Sequence, residues 1–340
     1  MFETGSTAYL ASLLPPGMSV MLRSLSFCLL IGLALGVWAQ TSNPSRQSQS
    51  IAVPTLVEER SGEIAFGLSA ADFSVKDEGV EQRVELEPDI ELRPISLLVV
   101  IQTGHTTASQ LSRIARLDEL LDAILTDPSD QAAVITFDGS PHLIQNFTTD
   151  SDTIAAALRP TASGNSRAVL FDALHTSVRT FQKTPAANQR IILLISGEHD
   201  HGSNASDTGS LVREISSNNV SIYSLSFSTS RSELLRSLGL RNPASMFASA
   251  MQRNAGDALA QLTGGDFYRF DSEKQFEDRV SEIANHIHNR YSLRFHPIDP
   301  QPGFHSLQVE LRNVKANVVA ARGGYWSSPE GNPSPEGGEK

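Results

Sequence analysis

From Pro94 onward, short apolar runs alternate with stretches of helical spacing. The runs are Ile95–Ile101, Ala132–Phe137, Ile191–Ile195 and Val220–Phe227. Each is brief, β-branched and almost unbroken, the pattern of a strand covered on both faces. Between them, Leu111, Ile114, Leu117, Leu120, Leu121 and Ile124 recur at helical intervals and predict one helix over 108–125. Further helices are predicted over 169–181 and, capped by Asp207 or Thr208, through Leu211, Val212 and Ile215. A helix over 255–262 should stop at Gly264-Gly265, because glycine takes the left-handed conformation at a helix end without strain. Phe267–Phe270 reads as a short strand, and Phe276, Val280, Ile283 and Ile287 as the stripe of a last helix. Strands alternating with helices imply a parallel sheet with right-handed crossovers. Leu143–Asn146, behind the Asp138-Gly139-Ser140-Pro141 turn, is expected as an antiparallel edge strand.

On either side of this block the period is two. Ile51–Val57, Phe73-Ser74-Val75 and Val84-Glu85-Leu86 lie ahead of it; Tyr291–Phe295, Leu307–Leu311 and Val318-Val319 follow it. Neither flank has enough strands for a stable sheet alone, so the two should pair. The expected architecture is α/β: a doubly wound, mainly parallel, Rossmann-like sheet over 91–290, inserted in a small β-sandwich-like domain built from 51–90 plus 291–326. Residues 327–340, rich in Pro, Gly, Ser and Glu, are expected to be a disordered tail.

Residues 1–39 carry an export pattern. Arg23 supplies a positive charge, Phe27–Leu35 an apolar core too short to span a bilayer comfortably, and Val37-Trp38-Ala39 the small residues of a cleavage site before Gln40. Translation starting at Met18 or Met21 would give this segment ordinary proportions. Two readings stay open: a cleaved signal peptide, or a retained N-terminal anchor. Residues 40–50 are a polar linker. The expected location is secreted or periplasmic, with no membrane span after cleavage. The single cysteine, Cys28, lies in the signal core behind bulky Phe27, which argues against a lipid anchor. The mature chain would then have no thiol, excluding cysteine catalysis and thiolate metal sites. In the 340-residue chain, 40% apolar and 19% charged residues indicate a folded protein, and a net charge of −11 gives nucleic-acid binding no electrostatic support.

Several motifs in order resemble the von Willebrand factor A domain family, in particular the VWFA-related acidobacterial-type variant of secreted bacterial proteins. They are the strand running into Gln102-Thr103-Gly104, then Val134-Ile135-Thr136-Phe137, then Ala168-Val169-Leu170-Phe171-Asp172-Ala173-Leu174 against the family's Thr-Ala-Leu-Tyr-Asp-Ala-Leu. Ile191–Glu198 and Leu262-Thr263-Gly264-Gly265 follow. Leu68–Phe73 with Asp77-Glu78-Gly79, and the ending Gly323-Gly324-Tyr325-Trp326, look like the variant's flanks. The resemblance covers about residues 51–326 and implies a module that binds proteins or surfaces, often through a divalent metal. Carried over position by position, the metal ligands fall on Gln102, Gly104, Thr106, Ala168 and Ser196. Only Thr106 keeps the family's hydroxyl chemistry, and no carboxylate remains to offset the dehydration of a hard cation. The resemblance therefore implies a degenerate metal-ion-dependent adhesion site and no cofactor.

Two loops at the same sheet edge carry His105 and Glu198-His199-Asp200-His201. His105, His199 and His201 with a neighbouring carboxylate would suit zinc or another borderline divalent metal, though the spacing matches no zinc motif. His286 and His288 are two apart on a helix and make a poor pair; His296 and His305, at the ends of successive strands, are expected as structural neighbours across a hairpin. No Gly-x-Ser-x-Gly elbow and no phosphate loop is present, and Asp172 reads as a first-turn carboxylate favoured by the helix dipole. The expected function is a non-enzymatic module that binds an unidentified protein or cell-surface partner. The alternatives are a histidine-ligated adhesion domain and, behind it, a metallohydrolase.

Overall fold

The computed structural model describes residues 50–88, 93–104, 107–159, 167–200, 202–203, 208–227, 243–298, 301–312 and 314–327. The expected signal segment, nearly all of the linker and all but the first residue of the tail lie outside them. No helix among the described residues is long and apolar enough to cross a membrane.

The chain starts with β1 (Ile51–Glu59), β2 (Phe73–Asp77), β3 (Val80–Gln82) and β4 (Val84–Leu86). It then enters the α/β part with β5 (Ile95–Gln102), α1 (Ala108–Leu111), α2 (Leu117–Leu121), β6 (Gln131–Phe137), β7 (Pro141–Thr148), α3 (Ser151–Ala157) and α4 (Leu170–Thr180). There follow β8 (Gln189–Ser196), α5 (Thr208–Ser217), β9 (Val220–Ser226), α6 (Pro243–Arg253), α7 (Ala255–Thr263), β10 (Phe267–Arg269) and α8 (Glu273–His288). The last strands are β11 (Tyr291–Phe295), β12 (Gly303–Leu311), β13 (Ala316–Ala321) and β14 (Gly324–Ser327).

The central sheet has the order β10-β9-β8-β5-β6-β7. Every neighbouring pair is parallel except β6 with β7, the expected antiparallel edge. All eight residues of β5 are buried, as an unbroken apolar strand at the middle of a doubly covered sheet must be. Its alternate side chains serve two cores. Leu97, Val99 and Ile101 pack with Ile114, Leu117, Phe276, Val280 and Ile283 on one face. Leu98 and Val100 pack with Leu170, Leu174, Leu211, Ile215 and Leu259 on the other.

The helix expected over 108–125 is broken. α1 runs into a 3₁₀ turn at Ser112–Ile114, and α2 begins only at Leu117. Ile114, Leu117, Leu121 and Ile124 are nevertheless all buried. The apolar stripe survives because tertiary packing, not an unbroken hydrogen-bond ladder, stabilises such short helical pieces. Arg116, at the break, bonds both Glu119 and Glu277 of α8. α6 was not among the predicted helices; its Phe247 stacks on Phe304 of β12 at 5.7 Å.

Two antiparallel sheets flank the central one, in the orders β13-β1-β11-β4 and β14-β12-β2-β3. Their shared core contains Val53, Val57, Phe73, Val75, Leu293, Phe295 and Tyr325. Strands from the two flanks of the chain thus hydrogen-bond directly: Val53 lies opposite Leu293, and Val75 opposite Val309. The expected β11–β12 hairpin does not form, since the two strands belong to different sheets. His305 pairs instead with Asp77, Nδ1 to Oδ1 at 3.0 Å, and the Tyr325 hydroxyl donates to the other carboxylate oxygen at 2.7 Å. His296 is exposed.

This pairing predicts an outcome. Deleting residues 291–340 should remove hydrogen-exchange protection from 51–86 while 95–102 stay protected, because β1, β2 and β4 lose partner strands and β5 does not. Undiminished protection of 51–86 would contradict the pairing.

Candidate functional site

In an open parallel sheet, ligands bind in the crevice beyond the carboxyl ends of the strands. Here that rim is formed by the ends of β5, β6 and β8. Gln102 closes β5 and is 5% exposed; its Oε1 accepts a hydrogen bond from the Gly197 N–H at 2.9 Å. The amide therefore ties the end of β5 to the turn after β8. Ser196, the last residue of β8, is fully enclosed, and its hydroxyl donates to the Gly197 carbonyl at 2.8 Å. Ala168 is buried just ahead of α4, in the core beneath it. Gly104 turns the chain, its carbonyl accepting from the Thr107 N–H at 2.9 Å and from the Thr107 hydroxyl at 2.7 Å. That hydroxyl also lies 3.2 Å from the Gln102 carbonyl. Thr106, His105 and His201 lie outside the described residues.

The carboxylates around the rim are each engaged by the protein. Asp138, after β6, accepts from the Ser140 N–H at 3.1 Å, and His142 stands 3.6 Å away. Glu198 has a side chain only 1% exposed and accepts from the Arg269 guanidinium at 2.6 Å; its backbone carbonyl receives the Ala255 N–H at the start of α7. Asp200 and Ser203 serve α4. The Phe171 N–H lies 3.2 Å from the Asp200 carboxylate and 3.1 Å from the Ser203 hydroxyl, and the Asp172 N–H is 3.3 Å from that hydroxyl. An acidic side chain here meets the positive end of the helix dipole and satisfies amides that have no partner within the helix. Val169, at the N-cap position, has no side chain able to do so.

The structure thus brings Gln102, Ser196 and the Glu198–Asp200 loop together around Gly197. His199 is exposed, on the solvent side of a loop whose carboxylates point inward. Among the described residues, no group of three or more His, Asp or Glu side chains is arranged to hold a metal ion. Sequence reasoning missed Thr107, Ser203 and Arg269. Asp and Ser commonly cap the helix that follows them; here they cap one that starts about thirty residues earlier, and no local pattern announces that.

Residues 97–199, from β5 to the loop after β8, match the family model of the von Willebrand factor type A domain. No curated protein matches the chain. Among solved structures it is similar to BatB from Bacteroides thetaiotaomicron, at 14% identity and a TM-score of 0.42 over 57% of this chain and 98% of that one. It is also similar to the vWF domain of the type V pili tip protein Mfa5 from Porphyromonas gingivalis, at 10% identity and a TM-score of 0.42 over 57% and 95%. A third likeness is to proximal thread matrix protein 1 of the mussel byssus, at 12% identity and a TM-score of 0.44 over 69% and 51%.

Proposed function

We propose that this chain is an exported, non-enzymatic binding module of the VWFA-related acidobacterial type. It would engage a protein or cell-surface partner through the loops at the carboxyl edge of its central sheet, without a metal at the family's usual site. Domains that match this family generally serve as interaction modules, which supports the coarse reading.

The observation that carries the finer one is the internal bonding of the rim. A hard divalent cation needs several oxygen ligands, normally including a carboxylate. At the corresponding positions Gln102 spends its amide oxygen on Gly197, Ser196 turns its hydroxyl to a neighbouring carbonyl, and Ala168 has no donor atom. The nearby carboxylates hold Arg269 and the α4 amides. Recruiting Asp200 would take its carboxylate from the first turn of α4 and leave only the Ser203 hydroxyl there, a loss of up to about 1 kcal/mol before any metal bond forms. The residues present do not fit the metal, so no role is assigned to one.

The test is metal content followed by titration. The purified chain, dialysed against Mg²⁺, Mn²⁺ or Zn²⁺, is expected to retain substoichiometric metal, and partner capture from envelope extract should be the same with and without chelator. One equivalent of metal, lost in a His199→Ala/His201→Ala variant, would replace this reading with the histidine-ligated one.

A further inference from the structure

The opposite edge of the central sheet holds a different feature. A cleft of about 1060 Å³ opens at the amino ends of β8 and β9, between the α/β part and the sheet containing β1 and β11. Six arginines line it: Arg93, Arg179, Arg190, Arg290, Arg294 and Arg322. Among the described residues only two carboxylates do, Glu87 and Glu214. In a chain with 38 acidic residues against 27 basic ones, this is the reverse of the overall balance.

Local pairing does not neutralise the excess. Arg93 and Arg294 share Glu87, and Arg290 pairs with Asp266 at 2.8 Å. Glu214 is turned to His175, 2.9 Å away. Arg190 reaches only neutral oxygens, at Asn218 and Thr184. Arg322 likewise bonds the carbonyls of Gly324, Ala52 and Ser216 and the Asn219 side chain. Arg179 is exposed, and its guanidinium makes no hydrogen bond or ion pair among the described residues. The carboxyl ends of α4 and α5 also face the cleft, but each is worth only about half a negative charge. Among the described residues three arginines without a carboxylate partner outweigh them, and on the order of two positive charges stay open.

Two of these guanidiniums bond consecutive residues of one turn. Asn218 and Asn219 form the turn that ends α5, with Asn219 in the left-handed conformation at φ 50°. Arg190 binds the first asparagine and Arg322 the second, so the turn fixes both at one wall. Burial without a counter-charge holds the Arg322 guanidinium down at about 10 and lowers that of Arg190. An anion in the cleft would supply the missing counter-charge. Guanidinium pairs recognise phosphate and carboxylate oxygens through short, charge-assisted hydrogen bonds. The volume is that of a small-molecule site.

We propose that this cleft binds a small polyanion, a molecule bearing two or more phosphate or carboxylate groups, with Arg179 and Arg190 as its direct contacts and Arg322 as a fixed positive wall. The site is separate from the rim, and neither reading depends on the other. Isothermal titration of the full chain with sodium pyrophosphate, and separately with trisodium citrate, tests it against sodium chloride at matched ionic strength. Saturable one-to-one binding is expected for at least one probe: pyrophosphate alone identifies a phosphate ligand, citrate alone a carboxylate ligand, and both a site that reads charge. Arg179→Gln/Arg190→Gln should weaken that binding roughly tenfold or more, with an unchanged circular dichroism spectrum. Should the double variant lose its fold, Arg179→Glu alone, at an exposed position, should weaken binding by at least as much. Absence of saturable binding by either probe, or undiminished affinity in a folded variant, overturns the proposal.

Discussion

Asp266→Ala should cost the folded protein about 3–5 kcal/mol, read as a shift of the urea unfolding midpoint at pH 7. Asp266 lies just ahead of β10 with a side chain 9% exposed, and one of its oxygens accepts from both His286 Nδ1 at 3.0 Å and Arg290 Nη2 at 2.8 Å. The Arg290 side chain is 7% exposed and its guanidinium lies over the Tyr223 ring at 5.1 Å. Glu58 is 3.9 Å from His286 on the far side, too distant to take over the pairing. Removing the carboxylate would strand a buried positive charge, and that is the costly way to break such a pair.

The same carboxylate predicts an acid dependence. Burial alone would push its pKa up; the His286 hydrogen bond and the Arg290 charge overcome this and hold it below the usual carboxylate range. A depressed folded-state pKa means a contribution fully present above the unfolded value of about 3.9 and lost as pH falls through the lower folded value. The stability gap between wild type and Asp266→Ala should therefore be constant from pH 5 to pH 7 and narrow below about pH 4. A gap under about 1 kcal/mol at pH 7 would mean that Arg290 finds water or another partner.

Gly265→Ala should be at least as damaging, with a loss of about 3 kcal/mol or more, or no folded protein at all. A β-carbon there would stand 1.9 Å from the Ile222 carbonyl oxygen and 2.6 Å from its carbon. Both are backbone atoms of β9, so nothing can rotate aside. The neighbouring Gly264 takes φ 79° to end α7, which brings the chain this close to the sheet. Gly197→Ala is the control: its β-carbon would lie 3.5 Å from Gln102 Oε1 and 3.9 Å from Phe227, ordinary contacts, and should change stability by no more than about 1 kcal/mol. Thermal unfolding of the pair separates the two cases. Equal stability of the two variants would refute the close approach at Ile222.

The elements of the central sheet were legible because each strand and helix writes its own period into the chain. The Ile95–Ile101 run announced burial on both faces, and the Thr263-Gly264-Gly265 stop was read from the residue type that a left-handed helix end requires. The edge position of β7 followed from the turn before it. What was not legible depends on contacts between distant residues. The stripe over 108–125 told which side faces the core but not that the ladder breaks at Ser112–Ile114. Alternation in β12 identified a strand but not its sheet, so His305 was expected beside His296 and instead meets Asp77, 228 positions away.

The rim divides in the same way. That Gln102, Ala168 and Ser196 stand where the family's ligands would be is a matter of order along the chain. That Gln102 is bonded to Gly197, and that Asp200 caps a helix lying behind it in sequence, was decided only when the strands assembled. The arginine cleft is the extreme case, with lining residues drawn from β1, α4, β8, β9 and β11. By itself the sequence determined the order, kind and buried face of the elements, since those follow from backbone geometry within a few residues. The polar pairings were left to the tertiary structure, because closing a longer loop costs only slightly more than closing a shorter one, so nothing local selects the partner.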